Sequence, residues 1–354
     1  MSLPLSAQPP LAWLHGQPNA HGLLRTEASD FQVDEELNFT PSGAGEHLLL
    51  QIEKIGQNTQ YVARQLAERT GLKNRDISFA GRKDRHALTR QWFCLPWPIK
   101  AEVPWQDWQG EGYRILQVQR HHRKLRLGAL KRNRFRIQLR ELSDPAAVLA
   151  RLPLVQQGVP NYFGEQRFGI DGGNLSKAYA LFQGQSIADR QLRGLVLSAA
   201  RSYLFNQQVS ARVKAGFFQQ VLAGDVLQLD GSGSVFRALD DLSLLQQRLQ
   251  QGDLHPTAAL CGLVSSDKAQ PAAEAAQAEA DWLAPHAALV QGLMDFRLKA
   301  ERRAIRLVPQ QLQARPNGQH LLLEFALPTG CFATSVLREL VQYTDVAANR
   351  QYGD

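Results

Sequence analysis

The sequence predicts an α+β protein of two domains, and three observations carry the prediction. The chain has 354 residues, too many for one ordinary core and suited to about two domains of roughly 100 to 200 residues each. Strand-like runs fill much of residues 22–140 and return at 311–326, whereas 169–306 reads as mostly helical. A hydrophobic content of 44% with 21% charged residues is that of a chain that buries its own core.

Residues 22–25 and 30–36 read as short strands. Residues 47–55 form a third, apolar through Leu48, Leu49 and Leu50 and alternating afterwards, with Gly43 and Gly45 supplying the turn before it. Asn58 or Thr59 caps a helix that runs to Arg69; Val62 and Leu66 lie one turn apart on its buried face, and Gly71 is its stop signal. Next, the stretch from Phe79 to Phe93 sets one carboxylate, Asp84, between Lys83 and Arg85 in a loop opened by Gly81. Flanking cations favour an ionised carboxylate, and loops held by strands are where reactive groups collect. Two readings stand: a solvated turn in which Asp84 pairs with a neighbour, or a reactive carboxylate partnered by Lys83, Arg85 or a distant cation such as Arg338.

Residues 120–140 contain nine Lys or Arg and no acid, so the basic balance is concentrated there. Phe135, Ile137 and Leu139 alternate with Arg134, Arg136 and Arg140, so one face is expected to pack and the other to meet phosphate. A short helix at 144–154 leads into residues 158–169, where Tyr162, Phe163, Phe168, an arginine and three glycines predict an ordered loop at a domain junction. Helices are expected at 174–183, 186–214, 242–249 and 271–283, interrupted by a hairpin at 225–236 about Asp230-Gly231. A second hairpin turns about Asn317-Gly318, and its later strand runs into a Gly330-bearing loop and a helix expected to reach Tyr343. Strand, loop and helix N-terminus in that order can hold an anion.

The net charge of +7 and pI near 9.4 point to a polyanionic partner. Cys94, Cys261 and Cys331 are dispersed, which argues against a disulfide framework or a cysteine-based zinc site. Residues Met1 to Gly16 lack the pattern of a signal peptide, and no run of about 20 apolar residues occurs. The expectation is a cytoplasmic protein. Phosphate-binding, dinucleotide and zinc-protease motifs are missing, which counts against ATP, dinucleotide or metal chemistry. What remains is one carboxylate among cations, a basic face, and loop aromatics (Phe31, Tyr162, Phe163, Phe168 and Phe332) of the kind that stack on a base taken out of an RNA helix.

The run Gly81-Arg82-Lys83-Asp84-Arg85-His86-Ala87-Leu88-Thr89-Arg90-Gln91 resembles the signature of the TruD family of tRNA pseudouridine synthases. It is joined in chain order by Asp30-Phe31-x-Val33-x-Glu35, Gly43-x-Gly45-Glu46-His47, Lys124-Leu125-Arg126-x-Gly128-x-Leu130 leading to Asn133-x-Phe135, the whole of 158–169, and Leu327-Pro328-x-Gly330-x-Phe332-Ala333-Thr334-Ser335. The resemblance implies a pseudouridine-synthase-type catalytic domain, a mixed β-sheet flanked by helices, from residues 1–157 plus 307–354. Residues 158–306 would be a mostly helical α/β insertion domain. It implies isomerisation of uridine 13 in tRNA without cofactor or metal; a monomer with no membrane association is expected. By motif position Asp84 resembles the catalytic aspartate; Phe31, Asn133, Phe135 and Phe332 would contact the target base, and Arg25, Lys83 and Arg85 the RNA around it. Arg132 departs from the family, which more often has Gly there, and Arg25 stands where Lys is common.

The chemistry suits these residues. Pseudouridine forms when the C1′–N1 bond breaks, the uracil turns over in a closed pocket and C5 joins C1′; an ionised Asp84 could attack C1′ or remove the 2′ proton. Two other readings remain open: an RNA-binding or tRNA-folding protein without catalysis, and a nuclease in which Asp34, Glu35 and Asp84 hold magnesium.

Overall fold

The computed structural model describes residues 10–350. Residues 1–9, part of the stretch read for a signal peptide, and 351–354 lie outside the described residues. The chain divides into two compact units: Pro18–Gln156 with Pro309–Ala333 and the chain from Leu340 on, and Gln157–Val308 with Thr334–Glu339 and the chain up to Gln17.

The first unit opens with β1 (His21–Leu24), β2 (Phe31–Leu37), β3 (His47–Ile55), α1 (Thr59–Thr70), β4 (Ser78–Phe79), β5 (Leu88–Pro96), β6 (Tyr113–His121), β7 (Leu130–Leu139) and α2 (Pro145–Gln156). Strand β3 explains its own leucine triplet. Leu48 and Leu50 pack with Val62 and Leu66 of α1, while Leu49 points the other way into a cluster with Trp92, Cys94 and Leu125. Each such fully buried leucine stabilises the fold by roughly 1.5–3 kcal/mol. Asn58 occupies the position before α1 without a side-chain capping bond, and Gly71 ends the helix with φ 69°.

The second unit begins with β8 (Val159–Pro160) and continues through α3 (Gly173–Phe182), α4 (Arg190–Lys214), β9 (Val226–Leu229), β10 (Val235–Arg237), α5 (Leu242–Gln251), β11 (Leu254–Leu260), α6 (Ala273–Leu283), α7 (Ala287–Asp295), β12 (Glu301–Ala304) and β13 (Arg306–Leu307). Asp189 caps α4 by accepting from the amides of Gln191 and Leu192. Strands β10, β9, β11 and β12 pair antiparallel in that order. The sequence reading lacked β11, α7 and β12. Tyr162 and Phe168 are buried core residues, not stacking platforms, and Phe163 packs edge-on against Phe205 with Arg303 4.4 Å from its ring centroid.

The chain then returns to the first unit with β14 (Gln310–Asn317) and β15 (His320–Pro328), passes through α8 (Ala333–Leu340), and ends with β16 (Gln342–Asp345) and α9 (Val346–Arg350). Among the described residues, the main sheet runs β14-β15-β7-β2-β5-β3-β6, with β4 against β5. It is mixed: β2 and β5 run parallel and the other pairs antiparallel. The helix expected to reach Tyr343 stops at Leu340, because residues 342–345 pair in parallel with β1, a distant partner that no local pattern announces.

Strand β7 corrects the phosphate-facing reading of the basic segment. It lies between β15 and β2, with Phe135, Ile137 and Leu139 buried. The acids missing from the segment come from the neighbouring strands and the turn before β2: Arg132 and Arg134 share Glu36, Arg136 lies 3.9 Å from Glu324, and Arg140 meets Asp30 at 2.8 Å. Arg132 sits within the strand without positive φ, so it meets no strain where a glycine is common. Within residues 120–140 the exposed cations with no ion pair among the described residues are Arg123, Lys124 and Arg126 in the β6–β7 connection.

Gly45 is needed where it stands. Its φ is +122°, and a Cβ there would lie 2.4 Å from the His121 carbonyl oxygen. Gly45→Ala is expected to lower the unfolding free energy by about 1–3 kcal/mol through backbone strain alone. A urea titration with an unshifted midpoint would contradict this.

Candidate active site

Asp84 lies in the loop between β4 and β5, half-buried. Three hydrogen bonds hold the loop in shape. Gln91 donates to the Gly81 carbonyl at 3.0 Å, the Lys83 amide donates to Thr59 Oγ1 at 3.0 Å, and the Thr59 hydroxyl donates to Gln91 Oε1 at 2.9 Å. Lys54 is buried on β3, and its Nζ donates to the Asp84 carbonyl at 2.7 Å. The carboxylate is fixed separately: Oδ1 accepts from the His86 amide at 3.0 Å, and Oδ2 from Nη1 of Arg25.

Arg25 follows β1 directly and is itself buried. Its Nε donates to Asp345 Oδ1 at 3.0 Å and its Nη2 to Asp345 Oδ2, so one guanidinium spans two carboxylates. Burial opposes its charge, yet the bonds and charges of Asp345 and Asp84 outweigh that and raise its pKa. Neither sequence neighbour is the guanidinium on Asp84. Lys83 turns to Glu35, a buried carboxylate that also accepts from the Trp92 amide at 2.7 Å, and Arg85 is exposed with Nε on the Gly56 carbonyl at 3.0 Å. Arg338, the distant candidate, donates to the carbonyls of Leu11 and Ala12. The contact with RNA expected of Lys83 therefore gives way to an internal ion pair. Burial raises the pKa of Glu35 despite the opposing charge of Lys83.

The aromatic residues extend from the same edge. The Arg25 guanidinium carbon lies 5.8 Å from the Phe31 ring centroid; Phe31 meets Phe135 edge-on at 6.1 Å, and Phe135 stacks on Phe325 at 5.3 Å. Phe31 and Phe135 each keep 8% of their surface exposed, too little for a free stacking platform. Asn133 stands on β7 opposite Glu35 and Leu327, with its Oδ1 buried and without a hydrogen-bond partner among the described residues. Phe332 lies half-buried in the turn between β15 and α8.

The sequence reading missed Asp345 and Lys54 as members of this arrangement, and grouped Glu35 with Asp84 only as a magnesium ligand. Asp345 carries no local signal, and Lys54 reads as the polar side of an alternating strand. The magnesium reading is overturned by the partners of its acids: Asp34 pairs with Arg90, Glu35 with Lys83 and Asp84 with Arg25. Among the described residues no three His, Cys, Asp or Glu side chains are grouped to hold a metal ion. No described helix is long and apolar enough to cross a membrane.

Comparison with known proteins gives concordant results. The sequence model for tRNA pseudouridine synthase D (TruD) matches residues 11–178 and 182–340. The chain is 44% identical over 339 residues to tRNA pseudouridine synthase D of Pseudoalteromonas translucida (strain TAC 125), covering 95% of each chain. It is 46% identical over 333 residues to the protein of that name from Aeromonas salmonicida (strain A449), covering 94% of each. Its fold is similar to a crystal structure from Methanosarcina mazei titled as a tRNA pseudouridine synthase D (TruD), with a TM-score of 0.70 at 21% identity over 93% of this chain and 95% of that one.

Lys54 generates a pH prediction. Burial lowers its pKa from 10.5 to about 8, with Asp84 opposing the shift and Lys83 adding to it. The folded value lies below the unfolded one, so the cost of a charged Lys54 is fully present below about pH 8 and disappears as pH rises to 10.5. Stability from this site should therefore rise across that window. In denaturant titrations the stability of the wild type relative to Lys54→Met should increase between pH 8 and 10.5; a constant difference would refute the assignment.

Proposed function

The chain belongs to the TruD family of tRNA pseudouridine synthases, and from that premise we propose that it isomerises uridine 13 of tRNA to pseudouridine with Asp84 as the catalytic carboxylate. The observation that supports this reading is the double fixation of Asp84. Its backbone is tied to Lys54 and its carboxylate to Arg25 and the His86 amide. A carboxylate that must act at the sugar of a flipped nucleotide needs a defined direction and the ionised state. The guanidinium and the amide favour ionisation through charge and hydrogen bonding.

In the reaction, Asp84 either attacks C1′ as N1 departs or removes the 2′ proton. The freed uracil turns and C5 joins C1′, displacing Asp84 on the first route or accompanied by return of the 2′ proton on the second. C5 gives up its proton and N1 takes one up, so that the net change is an isomerisation. Phe31 and Phe135 keep a little apolar surface for the base, and Asn133 is assigned to it by motif position; its buried Oδ1, without a hydrogen-bond partner among the described residues, must be uncovered before it can accept from a uracil N–H. Phe332 is assigned to the same base by its motif position. Arg123, Lys124 and Arg126 supply the phosphate contact. They are exposed on the connection whose Gly128 amide donates to the Ala80 carbonyl at 2.9 Å, beside the loop that carries Asp84.

Asp84→Asn is expected to bind tRNA and form no pseudouridine when the product is mapped at nucleotide resolution. Retention of full activity would sink the assignment, and modification at a uridine other than 13 would correct the site. Arg123→Gln with Lys124→Gln and Arg126→Gln should flatten the plot of log affinity against log salt by about 2 to 3 units of slope, one phosphate contact per cation. Arg132→Gln with Arg134→Gln should flatten the slope by less, about one unit at most, since the two share Glu36 and that carboxylate answers one of their charges.

A further inference from the structure

We propose that Asp345 is a positioning residue of the active site and acts on Asp84 through Arg25. The inference rests on Asp84 as the catalytic carboxylate. Arg25 adopts φ 57°, a left-handed conformation that non-glycine residues keep only where the surroundings over-determine it. Its head group shows what does so. Asp345 takes Nε and Nη2 together, a two-point contact that fixes both the plane and the direction of the guanidinium. Only then is Nη1 aimed at Asp84 Oδ2.

Asp345 is itself held in place. Its Cα lies opposite Leu24 in the parallel β1–β16 pair, and its Oδ1 accepts from the Ala348 amide at 3.3 Å. The two ends of this unit's chain thus meet at the residue that holds Asp84. A lysine at position 25 would present a point charge and could not transmit direction from one carboxylate to the other. The role of Asp345 therefore depends on the arginine this chain carries.

The test measures steady-state pseudouridine formation on unmodified tRNA, with folding checked by thermal melts. Asp345→Ala should lower kcat on the order of 10- to 100-fold, as expected when a catalytic group is misdirected, with KM little changed. Asp345→Asn, which keeps the shape and one acceptor, should lower kcat less, and it carries the test if the alanine variant does not fold. Arg25→Met combined with either Asp345 variant should be no slower than Arg25→Met alone, because Asp345 acts on the carboxylate through the Arg25 guanidinium. Wild-type kcat in Asp345→Ala and Asp345→Asn, or losses that multiply in the double variants, would overturn the proposal. Asp84→Asn is run alongside: if it is active, the catalytic reading fails, whereas an inactive Asp84→Asn with fully active Asp345 variants rejects the positioning role alone.

Discussion

One guanidinium organises the candidate active site. Arg25 bonds Asp84 on one side and Asp345 on the other, and it can do so because β1 and β16 pair in parallel with Leu24 opposite Asp345. Three distant parts of the chain meet there. An arginine with 6% of its surface exposed must have its charge answered, and two carboxylates in fixed directions answer it while holding a strained backbone. Loss of either acid would leave a buried cation with an incomplete set of partners.

The loop around Asp84 is rigid for a second, independent reason. Thr59, Gln91 and Lys54 bond its backbone, and none of them is a neighbour in sequence. The main chain and the carboxylate are thus positioned by different groups, which suits a residue whose direction must survive the arrival of a bulky substrate. Lys54 connects the two sets of contacts, since its buried ammonium lies within the field of Asp84 while it bonds the carbonyl of the same residue.

Charge is distributed differently from its order along the chain. Within residues 120–140 the arginines of the strand portion each lie near an acid of β2, β15 or the turn before β2, so they contribute to the sheet by cross-strand pairing. Among the described residues, the segment's exposed cations with no acid nearby are those of the loop before the strand. A basic run in sequence is therefore two objects in space, one structural and one available to a polyanion.

The amino-acid pattern by itself determined most elements and the candidate carboxylate. Leu48, Leu49 and Leu50 announce a strand buried on both faces, Gly71 ends α1, and the motif around Asp84 singles out one acid among many; each is a local signal read within a few residues. Only the tertiary structure decided what that acid touches. Lys83 and Arg85 are its neighbours in sequence, yet adjacent side chains on an extended backbone diverge, and the contact comes from Arg25, 59 positions away. Asp345 and Lys54 were illegible for the same reason, as was β16, whose partner lies at the opposite end of the chain. Pairing between distant segments sets these contacts, and local periodicity carries no record of it.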